Sequence, residues 1–220
     1  MSEKMKLVVF GAGGFGREVM WAVERNHEFR SQYTILGYVD DIEDDSNLKL
    51  NGHTVVGNTQ WLLEQEDVAV LVAIGNPVTR KKIIDQLQTN QTLTYPTFIA
   101  SDVLMSDSIT HGVGCIICSG NIMTVNIEIG DFCIINLDCT IGHDAVLKDF
   151  VTLYPSANIS GNVLVKENSE IGTGTHIIQG KTIGRNCVIG AGTVVIKDIS
   201  GGCTAVGNPA RIVSKRGDLS

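Results

Sequence analysis

Proline is scarce in this chain of 220 residues, with 4 copies, and no uninterrupted apolar run exceeds the seven residues from Val68 to Ile74. A membrane-spanning helix needs roughly 18, so no membrane insertion is expected. The N-terminus, MSEKMKLVVFGAGG, lacks the apolar stretch and cleavage site of a secretory signal, which points to a cytoplasmic protein. In that compartment the six cysteines do not make a disulfide framework. Basic charge is also short. Seventeen Lys and Arg against 24 Asp and Glu leave a net charge of -7, which argues against nucleic acid or an anionic membrane surface as the main partner. With 43% hydrophobic residues the chain is too apolar to be disordered. What it has in excess is glycine: 24 copies, about 11% of the chain against a usual share near 7%, without the period of collagen.

Composition changes near residue 98. Residues 1–98 hold nine of the twelve aromatics and five isoleucines, whereas 99–200 hold three aromatics and eighteen isoleucines. Steps of six from Ile99 land on Met105, His111, Ile117, Met123, Ile129, Ile135 and so on to Ile189 and Val195, and sixteen of these seventeen residues are apolar. A helix cannot keep such a series on one face, because 3.6 residues per turn carries every sixth residue around by about 240°. A hexapeptide-repeat parallel β-helix can. Each hexad then supplies a short strand and a turn, three hexads close one triangular coil, and residue n stacks on n-18 and n+18.

The leading residue of each hexad points into the prism, and the fifth slot points inward as well. That slot takes small residues, among them Cys115, Cys133, Cys139 and Cys187, so these cysteines read as buried hydrophobes and not as a redox or metal set. Gly130, Gly142, Gly172, Gly184 and Gly190 follow a leading Ile, where the turn is expected to demand backbone freedom. His111 breaks the leading pattern, which implies an irregular early coil or, alternatively, contact with a partner chain. None of the repeat histidines lies 18 residues from another, so no zinc site is expected and no metal is assigned.

Residues 1–98 read as a small α/β unit. Strands are expected at Leu7 to Phe10, Ile35 to Val39 and Val68 to Ile74, with helices at Arg17 to Arg25 and Thr79 to Leu87. Gly11-Ala-Gly-Gly-Phe-Gly16 lies between the first strand and helix, and Asp40-Asp41 ends the second strand, 24 residues beyond Gly16. This is the order of a nucleotide-binding βαβ unit, in which glycines admit a phosphate to a helix N-terminus and the acid takes a sugar hydroxyl. Four acids fall in the five residues from Asp41 to Asp45, mostly a solvated loop on this reading.

The ordered set Gly11-Ala-Gly-Gly-Phe-Gly16, Asp40-Asp41, Ala73-Ile-Gly-Asn76, Arg80-Lys-Lys-Ile83, Ile141-Gly-His-Asp144 and Val206-Gly-Asn-Pro-Ala-Arg211 resembles the hexapeptide-repeat sugar acyltransferases with an N-terminal Rossmann-like domain. That family includes bacillosamine and perosamine N-acetyltransferases and sialic acid O-acetyltransferases. The resemblance implies a Rossmann-like nucleotide-sugar-binding domain over 1–98, a left-handed parallel β-helix over 99–200 and a tail over 201–220. It also implies a homotrimer that binds acetyl-CoA in the groove between neighbouring prisms. His143 falls on the family's general base, Asp144 on the acid beside it and Asn136 on an active-site asparagine. Gly161, Thr173 and Ala191 match positions along the acetyl-CoA groove. Thr152 stands on that side too, where some relatives carry a second histidine near the thioester. Gly11, Gly13, Gly16, Asp40, Asp41, Gly75 and Asn76 match positions around the nucleotide of the acceptor sugar.

The residues themselves are compatible with that chemistry. His143 sits in a third slot beside a turn, and Gly161, stacked 18 residues on, is expected to leave open space for substrate. Asp144 stacks between Asn126 and Asn162, a possible polar ladder. No Gly-x-Ser-x-Gly elbow occurs, so direct attack by the acceptor is simpler than an acyl-enzyme. The expected activity is acetyl-CoA-dependent N-acetylation of a nucleotide-linked 4-amino sugar. O-acetylation of a sialic-acid-type sugar is the alternative within the fold. An NAD-binding oxidoreductase and a non-catalytic scaffold are the alternatives outside it.

Overall fold

The computed structural model describes residues 4–41 and 48–215; the acidic run beyond Asp41 lies outside them. The N-terminal unit is a sheet in the order β3-β4-β2-β1-β5, built from β1 (Met5–Phe10), β2 (Tyr33–Val39), β3 (Lys49–Leu50), β4 (His53–Gly57) and β5 (Val68–Val72). Strands β1, β2, β4 and β5 are parallel, and β3 is antiparallel to β4. Helices α1 (Gly14–Arg25), α2 (His27–Gln32), α3 (Thr59–Leu63) and α4 (Pro77–Leu87) surround it. Burial on both faces explains why β1 and β5 are unbroken apolar runs: Leu7 and Val9 join one cluster and Val8 and Phe10 the other.

From Phe98 the chain winds as a prism of two-residue strands, each paired in parallel with the strand 18 residues on. The first face carries Phe98–Ile99 through Val188–Ile189, the second Leu104–Met105 through Val194–Val195, and the third Thr110–His111 through Thr182–Ile183. The leading aliphatics and small fifth-slot residues form one continuous core. All six cysteines are buried and unpaired. His111 pairs in regular register with Ile129. It is exposed because it lies in the first coil, with no coil beneath it. Within the segment read as a tail, Cys203–Val206 extends the first face and Arg211–Lys215 folds back on it antiparallel.

Two turn positions divide the work that the sequence reading gave to one. Every fourth slot from Gly114 to Gly192 has positive φ, filled mainly by Asn, Asp and Gly, which tolerate the left-handed region. The glycines after leading residues do not carry positive φ; they are small because the next coil is close. A Cβ on Gly142 or Gly172 would lie 2.6 Å from a backbone nitrogen of the coil above.

The N-terminal unit docks on the first face. Phe98, Ile116 and Ile134 point outward there, yet are buried with Leu7, Val9 and Leu71 of the α/β sheet. Among the described residues no helix is long and apolar enough to cross a membrane.

Candidate functional site

The candidate residues gather in three places. His143 and Asp144 sit on the corner between the second and third faces, just beyond Thr140–Ile141. Their side chains are about half exposed and joined by a 2.8 Å bond between His143 Nδ1 and Asp144 Oδ2. A carboxylate only accepts, so Nδ1 is the donor, and in the neutral imidazole Nε2 keeps its lone pair. The hydrogen bond from His143, followed by one from Asn126 Nδ2 at 3.3 Å, holds the Asp144 carboxyl below its ordinary range. Asn162 meets this pair only through its backbone, donating to the His143 carbonyl at 2.8 Å.

Gly161 is not the open space that the stacking pattern implied. The His143 ring itself lies across it: a Cβ there would come within 2.5 Å of both Cε1 and Nε2. The missing side chain lets the imidazole rest on the next coil, so Gly161 sets the height of the His143 ring.

Asn136, Thr173 and Ala191 lie on a different corner, between the first and second faces. Asn136 Oδ1 accepts from the Leu137 amide at 2.7 Å. Thr173 and Ala191 are exposed one coil apart, and Thr173 O accepts from Gly192 N at 2.8 Å. The side chains of Thr173 and Ala191 on this corner are small and exposed. Thr152 is not part of that corner. It is fully buried on the first face, where its hydroxyl donates to Gly75 O at 2.7 Å and accepts from Arg80 Nη2 at 2.9 Å. A hydroxyl committed inside the protein has nothing left for a thioester.

The third cluster stands at the C-terminal ends of β1, β2 and β5, where open α/β sheets bind ligands. Gly11 has φ +104, and a Cβ on it would lie 3.0 Å from Ala73 O. Helix α1 begins at Gly14 with Gly13 as its cap, so Gly16 is its third residue. Asp40 Oδ2 accepts from Ala12 N at 2.6 Å, bracing the glycine loop. Asp41 takes both the amide and the hydroxyl of Thr59, at 2.8 and 2.7 Å, which ties it to α3. Asn76 caps α4 and reaches Glu170 Oε1 at 3.1 Å. Glu170 in turn accepts from the Tyr154 hydroxyl at 2.9 Å. Sequence reasoning missed Tyr154, Glu170 and Arg80 as the wall behind this crevice. One signal was available: outward slots on the first face turn apolar at Ile116 and Ile134, marking where a second body docks.

In a single chain His143 and the glycine-loop cluster are therefore apart, since the α/β unit covers the first face and His143 occupies the opposite corner. A concavity of about 560 Å³ lined by Lys148, Lys166 and Arg185 lies on the third-to-first corner, away from both. No group of three His, Cys, Asp or Glu side chains able to hold a metal occurs among the described residues.

Comparison with known proteins matches residues 6–87 to the PglD N-terminal domain. Over the whole chain the fold is similar to a His-to-Asn variant of perosamine N-acetyltransferase from Caulobacter crescentus in complex with CoA and GDP-perosamine, with TM-score 0.86, 28% identity and 96% and 97% of the two chains covered. It is similar to the acetyltransferase domain of PglB from Neisseria gonorrhoeae in complex with acetyl coenzyme A, with TM-score 0.86, 31% identity and 96% and 100% coverage. WeeI from Acinetobacter baumannii superposes with TM-score 0.85, 33% identity and the same coverage. None of the curated proteins gives a significant match. The chain belongs to the hexapeptide-repeat sugar acyltransferases with an N-terminal Rossmann-like domain.

Proposed function

We propose that this protein transfers the acetyl group of acetyl-CoA to the amino group of a nucleotide-linked amino sugar, with His143 as general base. The observation that carries the reading is the His143 pair: Nδ1 bonded to Asp144 at 2.8 Å and the ring seated on Gly161, leaving Nε2 free at a half-exposed corner. The similar structures that bind CoA and GDP-perosamine, or acetyl coenzyme A, support both substrates.

Acetyl-CoA supplies an acetyl thioester. The acceptor amine attacks its carbonyl carbon while His143 Nε2 takes the amine proton; the C–S bond breaks, and the sulfur leaves as the CoA thiol by taking that proton from the imidazolium. Asp144 stabilises the imidazolium formed in that step. Positioned general-base catalysis contributes about 10²- to 10⁴-fold in rate. The amine must lose its ammonium proton before it can attack, so activity rises with pH through the neutral range.

The site is completed between copies of the chain in a homotrimer. Thr173 and Ala191 edge one side of the second face and His143 edges the other, so a neighbour that sets one corner against the other brings base and acetyl-CoA together. The lower second face supports this packing, because Leu104 and Ile122 point outward from it and are 66% and 47% exposed, with Val125 and Leu137 exposed on its two corners. The unpaired cysteines and the need for acetyl-CoA fit a cytoplasmic reaction.

The test is thiol release from acetyl-CoA with UDP- and GDP-linked 4-amino sugars and with free sialic acid, alongside His143→Ala. Release that depends on a nucleotide amino sugar and collapses in the variant is expected. Release with sialic acid alone would shift the reading to O-acetylation, and undiminished release by the variant would remove His143 from the mechanism.

A further inference from the structure

Arg80 takes no part in the chemistry above, yet it is the bulkiest of the fully buried side chains, 1% exposed. None of the ion pairs among the described residues includes it. A buried cation without a counter-ion is costly unless its hydrogen bonds are met, and here all five donors are used. Nε donates to Phe132 O at 3.0 Å. Nη1 donates to Ile74 O and Gly75 O at 2.6 and 2.9 Å. Nη2 donates to Phe150 O at 3.0 Å and Thr152 Oγ1 at 2.9 Å. Burial pushes the guanidinium down to about 10, still a cation at neutral pH. Its acceptors come from two bodies: Ile74 and Gly75 follow β5, whereas Phe132, Phe150 and Thr152 belong to two successive coils. Thr152 closes the ring by donating to Gly75 O at 2.7 Å.

A second observation points to the same place. Of the fourteen consecutive fourth-slot residues with positive φ, twelve are Gly, Asn, Asp or Ser, and the two exceptions are Phe132 (φ 53) and Phe150 (φ 61). A bulky side chain in the left-handed region is an outlier that persists only where its surroundings over-determine it. On the same corner one and two coils further on, the slot reverts to Asn168 and Asn186. The two rings stack with centroids 5.3 Å apart, Tyr95 meets Phe132 edge-on at 5.4 Å, and Lys81 Nζ lies 5.3 Å from the Phe150 centroid. Strained aromatics therefore stand only where carbonyls are presented to Arg80.

We infer that Arg80 and Thr152 are positioning residues for the acceptor substrate, locking the Gly75–Asn76 end of β5 at a fixed height on the β-helix. The nucleotide crevice thereby keeps register with the coils on which acetyl transfer takes place. This rests on the proposed function, in which a displacement of about 1 Å can cost on the order of 10²-fold. With its hydroxyl committed to Gly75 and Arg80, Thr152 serves the lock and not the thioester.

Thr152→Val keeps shape but deletes both side-chain hydrogen bonds, and Thr152→Ser restores them. With the full chain, Thr152→Val is expected to raise the KM for the nucleotide amino sugar about tenfold, the size of one lost hydrogen bond. The KM for acetyl-CoA stays within about twofold, and Thr152→Ser returns the acceptor KM to near wild type. Arg80→Lys, which cannot span five acceptors, shows the same split more strongly where it folds. A merely structural role would lower the melting temperature with the acceptor KM unmoved, and that result overturns the lock. Calorimetric titration with UDP and GDP separates the failures. Wild type that binds a nucleotide as tightly as Thr152→Val overturns the lock alone, whereas wild type that neither binds a nucleotide nor turns over an amino sugar overturns the function and the lock with it.

Discussion

In the β-helix a residue's surroundings follow from its position modulo six, whereas in the α/β unit they follow from which neighbour happens to cover it. Ile117, Ile135, Leu153 and Ile171 are all fully buried, each on the one before it, in the same slot. Leu7, Val8 and Val9 are equally buried, but on alternating faces and against unrelated partners. Repetition makes the prism insensitive to which coil is considered and intolerant of any slip in phase. The α/β unit has no such phase, and its loops can differ freely so long as the strand ends present the glycine turn. The proposed function uses both properties: in it the prism supplies a rigid corner for His143, and the irregular unit supplies strand ends that can be shaped to a nucleotide.

Changing phase is the most severe way to break this comparison. Deleting Thr175 alone shifts every later slot, so the expected outcome is insoluble or unfolded protein. Deleting residues 175–192, one full coil at the 18-residue spacing of the paired strands, keeps phase and is expected to leave a folded prism with a lower melting temperature. Circular dichroism melts of the two deletions decide it, and equal outcomes would refute the modular reading. Removing the base comes next: His143→Ala is expected to lower kcat by about 10²- to 10⁴-fold with the melting temperature unchanged, because the side chain is half exposed and packs no core.

A finer probe is Gly161→Ala. Its Cβ would press on the imidazole, so kcat should fall by about tenfold or more, while the same change at exposed Gly13, whose Cβ would meet nothing within 4 Å, should leave stability nearly unaltered. Steady-state kinetics and melts on both variants separate the two roles of glycine. The smallest expected effect concerns the turns. Asn186→Gly should be neutral to within a few tenths of a kcal/mol, whereas Asn186→Val should cost about 1–3 kcal/mol for a β-branched residue at φ 55, read from denaturant midpoints.

Much of this was legible in residue order. The period of six identified the prism, its inward slots and four of the six buried cysteines, and Gly11 to Gly16 with Asp40 marked the strand ends of the α/β unit. Helices α2 and α3 and the β3–β4 pair were not legible. Each is six residues or fewer, too short for an apolar period to register, and each is held by packing on the sheet. Gly142 and Gly172 look like flexible turns in the sequence because a missing side chain looks the same whether it serves φ or close approach; only the neighbouring coil tells them apart. Asp41 reads as a sugar ligand by position, yet its carboxylate is committed to Thr59, a partner 18 residues away in an unrelated element.

The sequence by itself determined the architecture and the placement of His143 beside Asp144, because adjacency and a strict six-residue period are properties of residue order. Tertiary structure alone decided that the imidazole lies on Gly161, that Thr152 belongs to the junction with Arg80, and that one chain holds His143 and the glycine loop on opposite sides. Those facts depend on which surfaces meet across long separations. A period carries no information about what docks on a face, only about which residues the face presents.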